Sequence, residues 1–248
     1  MPFASAMSPQ VDERSARFVR KSDEVTTGRP LRLPWRYLME FLKDGRTPIR
    51  ALSDEAIRRY LPFLYGPGTI VELGAPSDYY RAFAPAEQDY HVTDNSGHAR
   101  HKVDMTNMPF ANESVDSFIS VFAMEHVREY RKALAEVKRT LKRHGRFLLL
   151  MPFLYYYHAA PEDYIRLTRP ALLAELDGFR FLAVENLGNR ALCVAEMYHE
   201  KTDMGHSSSW LRRAVLRALA CIFLISFLWK GRNDEAYASA ILVLCEKV

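Results

Sequence analysis

The chain has 248 residues, of which 48% are hydrophobic and 26% are charged, and its formal net charge is +4. This composition is ordinary for a globular domain, and so small a net charge gives no reason to expect a nucleic-acid partner. Cys193, Cys221 and Cys245 show neither metal-ligand nor CxxC spacing. We interpret them as isolated buried thiols in a reducing compartment, which predicts a cytoplasmic protein.

Residues 1–30 are polar, with mixed charges and no apolar stretch, which predicts a loose tail rather than a secretory signal. Residues 31–248 are predicted to form one domain that begins with helices at about 34–64. The first helix corresponds to LPWRYLMEFLKDG and the second to SDEAIRRYLPFLYGPG. The second is predicted to have Ser53 as its N-cap and to end at Pro62 and the following glycines.

From residue 69 onward, apolar strand-like runs alternate with amphipathic helices. The predicted strands are TIVELG, YHVTDN, HKVDM, SFISVFA, RFLLLMPF, FRFLAVENLG and AYASAILVLCEKV. The predicted helices are REYRKALAEVKRTLKRHG, with Gly145 just past its end, and TRPALLAEL, with Thr168 as its N-cap. This alternation predicts an α/β fold with a mostly parallel seven-stranded sheet and helices on both faces.

Ligands of such sheets bind at the carboxyl ends of the strands, so the loop after the first strand is the first candidate site. Gly74 is its single glycine and Pro76 donates no N–H, which excludes a dinucleotide fingerprint and a Walker-type phosphate loop. Glu72, Asp78 and Asp94 make this edge acidic. Asp94 follows Gly74 by 20 residues, the sequence spacing expected for a carboxylate that binds ribose hydroxyls. A cationic, phosphate-free cofactor such as S-adenosylmethionine (SAM) therefore fits better than NAD. The alternative is that these acidic residues bind no cofactor and stand at strand ends only because helix N-termini favour negative charge.

Several motifs recur in order further along the chain. They are D-x-x-x-M-P-F, S-x-D, E-H-V and the helix end R-x-L-K-x-H-G within VDMTNMPFANESVDSFISVFAMEHVREYRKALAEVKRTLKRHG. Together they resemble the class I SAM-dependent methyltransferases over about residues 66–187 and the last strand. The segment YYYHAAPEDYIRLT is similar to one found in a bacterial subgroup associated with polysaccharide and glycolipid biosynthesis. Pro76 and His144 depart from the family pattern, since each stands where the family has a glycine.

This resemblance implies a Rossmann-like class I methyltransferase fold with SAM as the cofactor. By position in the motifs, Asp94 is implied to bind the ribose hydroxyls and Asp104 the adenine, while Phe122 lies beside the transferable methyl group. The residues implied to contact SAM are Glu72, Gly74, Ala75, Asp94, Asn95, Asp104, Met105, Phe122 and Ala123.

Methyl transfer depends mainly on positioning, and an alcohol acceptor benefits from a general base. His158, beyond the fifth strand, is the candidate base, and Asp163 and Arg166 are predicted to orient it or to hold a polar acceptor. The alternatives are a histidine that packs in an aromatic cluster and an Asp163–Arg166 ion pair that is structural. Glu125 and His126 also lie near the predicted site. We interpret Glu125 as a residue at a helix start and His126 as a packing and hydrogen-bonding residue, with direct catalysis as the alternative for each.

No metal site is predicted. His98 and His101 have no carboxylate or cysteine at a matching spacing, and solvated loop histidines are more common than ligands.

A hydrophobic helical insertion is predicted at about residues 189–232. Within residues 207–232, the apolar run from Ala218 to Trp229 is too short to span a bilayer. The basic residues and tryptophans at its two ends suit a helix at a membrane surface, here the inner membrane face. A helix that packs on the sheet or in a homodimer interface is the alternative, and we favour it.

The predicted function is that of a SAM-dependent methyltransferase that O-methylates a small-molecule, sugar or glycan- or lipid-linked acceptor. The alternative is a catalytically inactive binding or scaffold protein of the same fold, in which Pro76 has weakened the SAM pocket. An NAD(P)-dependent oxidoreductase is disfavoured, because the chain lacks both the glycine fingerprint and a Tyr-x-x-x-Lys pair.

Overall fold

The computed structural model describes residues 47–96, 99–159, 162–198 and 236–248. It also describes Val215, Ala218, Leu219, Cys221, Ile222 and Ile225 as helical residues. The predicted tail, the predicted first helix, most of the 207–232 segment and His98 lie outside these residues.

Seven strands form one sheet. They are β1 Ile70–Leu73, β2 Tyr90–Asp94, β3 His101–Lys102, β4 Val115–Val121, β5 Leu141–Pro152, β6 Phe179–Leu187 and β7 Ala240–Lys247. Their order in the sheet is β3-β2-β1-β4-β5-β7-β6. The pairs among β1 to β5 are parallel, and β7 runs antiparallel between β5 and β6. The predicted mostly parallel seven-stranded sheet is confirmed, and each predicted strand has its counterpart.

Within the described ranges up to residue 198, four α-helices cover the two faces of the sheet: α1 Pro48–Tyr60, α2 Tyr130–Thr140, α3 Arg169–Glu175 and α4 Arg190–Tyr198. Because successive strand residues point to opposite faces, β4 contributes Ile119 to one core and Phe118 to the other. Buried residues of α1 and α4 belong to the core of Ile119, and those of α2 and α3 belong to the core of Phe118. The predicted placement of helices on both faces is confirmed.

The predicted start of the second helix is wrong. The helix α1 begins at Pro48, where the fixed φ of proline suits a first turn, with Thr47 as its N-cap. Ser53 is buried mid-helix, and its Oγ donates to the backbone oxygen of Ile49 at 2.7 Å. Apolar contacts with the sheet therefore decide the start of this helix, and the capping preference of Ser53 does not.

The predicted end of the long helix is also wrong. The helix α2 ends at Thr140, and Leu141 already pairs with Val115 of β4. His144 takes the left-handed backbone conformation itself, with a φ of 62°. Gly145 serves as a close-approach position instead, because a Cβ there would lie 2.8 Å from the Asp116 backbone oxygen.

The predicted cap of α3 is confirmed, since Thr168 Oγ1 accepts from the Ala171 backbone N–H at 3.4 Å. Across the part of the chain that the structure describes, no helix combines the length and apolar character that crossing a bilayer requires.

Glu196 is a buried carboxyl group that ties α4 to α1. Its Oε1 accepts from the Ile49 backbone N–H at 2.9 Å, and burial raises its pKa from 4.5 to about 8. The folded protein therefore keeps a proton that the unfolded chain releases, so this group makes stability fall as pH rises from about 4.5 to 8.

Substitution Glu196→Gln keeps an acceptor for Ile49 and removes the titration. We expect the variant to exceed the parent in free energy of unfolding by ~4 kcal/mol at pH 8.5 and to match it near pH 5. Urea unfolding at both pH values measures this, with the exposed Glu87→Gln as control. An unchanged pH dependence would show that Glu196 is ionised in the folded protein.

Candidate active site

The chain turns sharply where β1 ends. Gly74 has a φ of 73°, and a Cβ there would lie 2.5 Å from Cβ of Ala123 and 2.6 Å from Cε of Met105. Three of the predicted cofactor residues, from the loops after β1, β3 and β4, thus meet at one point on the carboxyl edge of the sheet. We call Gly74, Met105 and Ala123 the glycine cradle.

Two other predicted residues, Glu72 and Ala75, stand on either side of Gly74 in the chain. Glu72 is buried at 2% exposure, and its Oε2 accepts from the Tyr90 hydroxyl at 2.7 Å. Burial raises the pKa of Glu72 to about 7. The backbone N–H of Ala75 donates to the Thr93 oxygen of β2 at 3.0 Å. Glu72 and Ala75 therefore fix the shape of the loop, and Pro76 is exposed beyond them.

The two predicted aspartates lie at the ends of neighbouring strands. Asp94 ends β2, and its Oδ2 accepts from the Ser96 backbone N–H at 3.1 Å. Asp104 follows β3 and is exposed, and its Oδ1 accepts from the Thr106 backbone N–H at 2.8 Å. These bonds hold both carboxylates at the carboxyl edge. Asn95 is exposed beside Asp94.

The connection from β1 to β2 contains no α-helix in residues 74–89, which the structure describes throughout, but a single 3₁₀ turn, Arg81–Phe83. It is fastened to α1 by Asp54, which accepts from the hydroxyls of Tyr79 at 2.5 Å and Tyr80 at 3.2 Å. This loop therefore offers no α-helix N-terminus to a ligand carboxylate, so a side-chain cation is needed for that task.

A small pocket opens at the ends of β4 and β5. It is lined by Ile49, Arg50, Phe122, Tyr155 and His158. Phe122 has a φ of 49°, which is rare outside glycine, and strained backbone of this kind clusters at functional sites. The Arg50 guanidinium lies 4.9 Å from the Phe122 ring centroid. Ala123 of the glycine cradle follows Phe122 in the chain, and the two side chains pack in different cores.

His158 contacts Asp163, which is also paired with Arg166, so the orienting contact and the ion pair that the sequence left as alternatives are both present. Its Nδ1 lies 3.2 Å from Oδ2 of Asp163, which also accepts from the His158 backbone N–H at 3.1 Å. Both terminal guanidinium nitrogens of Arg166 bond to Asp163. Burial lowers the pKa of His158, and the charge of Asp163 partly offsets this. Near pH 7 the imidazole is therefore neutral and oriented, with Nε2 able to accept a proton.

Two further residues, Glu125 and His126, lie next to His158. Glu125 is fully buried, and burial raises its pKa to about 7. Its Oε1 lies 3.7 Å from Nε2 of His126 and 3.7 Å from Nε2 of His158. Glu125 does stand in a 3₁₀ turn, Met124–His126. The structure thus places both residues, which were expected near the site, beside the candidate base.

Arg50 and Tyr155 were missed by the sequence analysis as parts of the site. Arg50 reaches the pocket because α1 packs across the sheet, and Tyr155 because of the path of the chain after β5. The aromatic run YYYH was a signal for Tyr155, but nothing local to residue 50 identified the arginine.

Comparisons with known proteins agree with this geometry. Residues 78–149 match the family model described as a methyltransferase domain. The uncharacterized methyltransferase YcgJ of Bacillus subtilis is 42% identical over 57 residues, or 23% of this chain and 20% of that protein. The match thus spans about a fifth of the length of that curated relative.

Among solved structures, a SAM-dependent methyltransferase from Archaeoglobus fulgidus matches with a TM-score of 0.54 and 14% identity, covering 86% of this chain and all of that one. The chain has the class I methyltransferase fold. The predicted resemblance to class I SAM-dependent methyltransferases is confirmed, whereas the polysaccharide-associated subgroup stays a prediction. The [4+2]-cyclase SpnF matches equally well, with a TM-score of 0.54 and 13% identity, covering 94% of this chain and 92% of that one. The methyltransferase fold alone therefore does not fix the reaction.

Proposed function

We propose that the protein is a SAM-dependent methyltransferase that methylates a hydroxyl group. The observation that supports this most is the continuity between the glycine cradle and the pocket. Ala123 of the cradle directly follows Phe122 of the pocket, and His158 lines the same pocket. A candidate cofactor residue and the wall of the pocket that contains the candidate proton acceptor are thus neighbours in the chain after β4.

The groups at the carboxyl edge fit SAM. The φ of 73° at Gly74 lets the chain turn sharply at this edge, and the carboxylates of Asp94 and Asp104 suit ribose hydroxyls and an adenine amino group. Because no α-helix follows β1 to bind the methionine carboxylate of SAM at its N-terminus, a positively charged side chain is proposed to bind it. Arg50, which lines the pocket, is the candidate. SAM supplies a methyl group on a positively charged sulfur.

In the proposed reaction, His158 accepts the hydroxyl proton of the acceptor at Nε2 while the acceptor oxygen bonds to the methyl carbon. The carbon–sulfur bond breaks, its electron pair stays on sulfur, and the products are a methyl ether and S-adenosylhomocysteine (SAH). Asp163 is a positioning residue, because it bonds to Nδ1 on the opposite side of the imidazole. Most of the rate acceleration is expected from positioning, and part from the base.

A sugar or a glycan- or lipid-linked molecule is the acceptor class that the YYYHAAPEDYIRLT segment favours. The exposed rings of Tyr157 and Tyr164, close to His158 in the chain, offer flat surfaces for it. Val215, Ile222 and Ile225 are exposed helical residues, which supports contact with a membrane surface or a second copy of the chain.

The test is SAH release with a panel of acceptors: free sugars, a polyprenyl-linked sugar, a carboxylic acid and an amine. Release with a hydroxyl-bearing sugar acceptor supports the proposal, and release with the amine or acid alone contradicts it. Flotation with anionic liposomes tests the surface contact separately, and no binding would argue against it.

Substitution Asp94→Asn tests the ribose contact. Loss of charge-assisted hydrogen bonds to the diol is expected to weaken SAH binding about 10- to 100-fold without unfolding the protein. Calorimetric titration measures this, with Glu87→Gln on the exposed loop before β2 as the matched control. Equal affinities of both variants would remove Asp94 from the site.

A catalytically inactive scaffold is the second candidate. The single 3₁₀ turn after β1 and the commitment of the Ala75 amide to β2 favour it, since both reduce the groups available to the methionine end of SAM. Failure to bind SAH would support this alternative.

A further inference from the structure

One carboxylate and two imidazoles meet behind the pocket, and the proposed reaction uses only one of them. We call Glu125, His126 and His158 the two-histidine cluster. A carboxylate oxygen of Glu125 and one ring nitrogen from each histidine all lie within 4.8 Å of one another. This is close to the spacing of ligands around a single ion.

Glu125 indicates that a partner belongs in the cluster. Its side chain is 0% exposed, and within the described part of the chain neither of its carboxylate oxygens has a hydrogen-bond partner. Buried carboxylates are normally hydrogen-bonded, paired with a charge or bound to a metal. Arg166 acts on Glu125 through its charge but gives it no hydrogen bond, because its terminal nitrogens bond to Asp163 and to the backbone oxygens of Tyr156 and Ile165.

The Nδ1 atom of each imidazole contacts an oxygen atom that helps to fix the orientation of the ring. Nδ1 of His126 lies 2.6 Å from the Glu162 backbone oxygen, and Nδ1 of His158 lies 3.2 Å from Oδ2 of Asp163. Each Nδ1 thus has an oxygen acceptor, which leaves Nε2, 3.7 Å from Glu125 Oε1 in each ring, as the nitrogen available to an ion. Histidines that bind metals typically donate their other N–H to a carboxylate or a backbone oxygen in this way.

We propose that Glu125, His126 and His158 bind a divalent transition-metal ion, and that their donor atoms fit Zn²⁺ best. Two imidazole nitrogens and a carboxylate oxygen favour such an ion over Mg²⁺ or Ca²⁺. Bonds of about 2.0–2.2 Å place tetrahedral ligands about 3.3–3.5 Å apart, so the two 3.7 Å separations from Glu125 need to close by a few tenths of an ångström. The two histidine nitrogens lie within 4.8 Å of each other and come together by rotation of their side chains. The sequence predicts no metal, because these ligands come from two distant segments.

An ion here would keep an open coordination position next to the pocket, since His158 also lines the wall beside Phe122. It would change the role of His158 from base to ligand. Activation of the acceptor hydroxyl would then come from a Lewis acid that lowers the hydroxyl pKa. Metal binding by these three side chains does not depend on the proposed methyl transfer.

The test is titration of the metal-free chain with Co²⁺, followed by visible absorption, and then displacement by Zn²⁺. We expect one saturable site per chain, with affinity lowered at least about 100-fold in Glu125→Gln and in His126→Ala, as for the loss of a metal ligand. The matched control is His91→Ala. His91 and His101 form an exposed pair with ring centroids 5.4 Å apart, which would account for adventitious binding.

Absence of saturable binding overturns the proposal, as does binding that survives Glu125→Gln or is lost in His91→Ala. Thermal melting checks that the variants fold, and Glu125→Gln preserves the shape of the side chain. SAH affinity is measured on the same samples. Failure of the metal site and failure of the proposed methyl transfer are therefore distinguishable.

Discussion

His158→Ala is expected to lower kcat for methyl transfer by about 10²- to 10⁴-fold, the usual contribution of a general acid or base. The physical reason is the position of His158, which lines the pocket beside Phe122 and is oriented by Asp163 at 3.2 Å. Affinity for SAH is expected to stay unchanged, because His158 is proposed to contact the acceptor and not the cofactor. The measurement pairs SAH release at saturating acceptor with calorimetric SAH binding.

The matched control is His91→Ala, which removes a partly exposed imidazole from β2. Asp163→Asn refines the test, because it keeps the size of the positioning residue and weakens its hold on Nδ1. We expect Asp163→Asn to lower kcat less than His158→Ala does and to leave the KM for SAM unchanged. Full turnover by His158→Ala would remove His158 from the mechanism.

Gly74→Ala is expected to abolish SAH binding at accessible concentrations, at least about a 100-fold loss. The new Cβ would lie 2.5 Å from that of Ala123, and the residue would have to keep a φ of 73°. Overpacking and left-handed strain each cost about 1–3 kcal/mol, so the free energy of unfolding should fall as well. Urea unfolding and calorimetry measure the two effects.

The chain offers a matched control and a rescue for this substitution. Gly66→Ala places a methyl group where no atom lies within 4 Å and should change neither quantity. Adding Ala123→Gly to Gly74→Ala removes the methyl–methyl clash and is expected to restore part of the stability, while the backbone strain persists. Unimpaired SAH binding by Gly74→Ala would mean that the glycine cradle is not where the cofactor lies.

The strands were predictable because each is a run of apolar residues between turn residues, and their order along the chain indicated the parallel sheet. The helix ends were less predictable. Ser53 resembles an N-cap, yet packing extends α1 back to Pro48. Gly145 resembles a helix stop, yet pairing of Leu141 with Val115 ends α2 earlier. Both errors arise where tertiary contacts override a local preference.

The candidate site was predictable in part, for a similar reason. Gly74, Met105 and Ala123 follow strand ends, and topology alone brings such positions to one edge of a sheet. The contact of Glu125 with His126 and His158 depends on how the segment at residues 162–168 docks, including the Tyr164 N–H bond to the Glu125 backbone oxygen at 2.9 Å. Sequence spacing carries no signal for such docking.

Calorimetric titration of the unmodified protein with SAH measures directly whether the carboxyl edge binds the cofactor. We expect saturable binding of one SAH per chain, weakened in Asp94→Asn and abolished in Gly74→Ala but kept in Gly66→Ala. No detectable heat or thermal stabilisation at high micromolar SAH would contradict it and would favour a scaffold that keeps the methyltransferase fold without the cofactor.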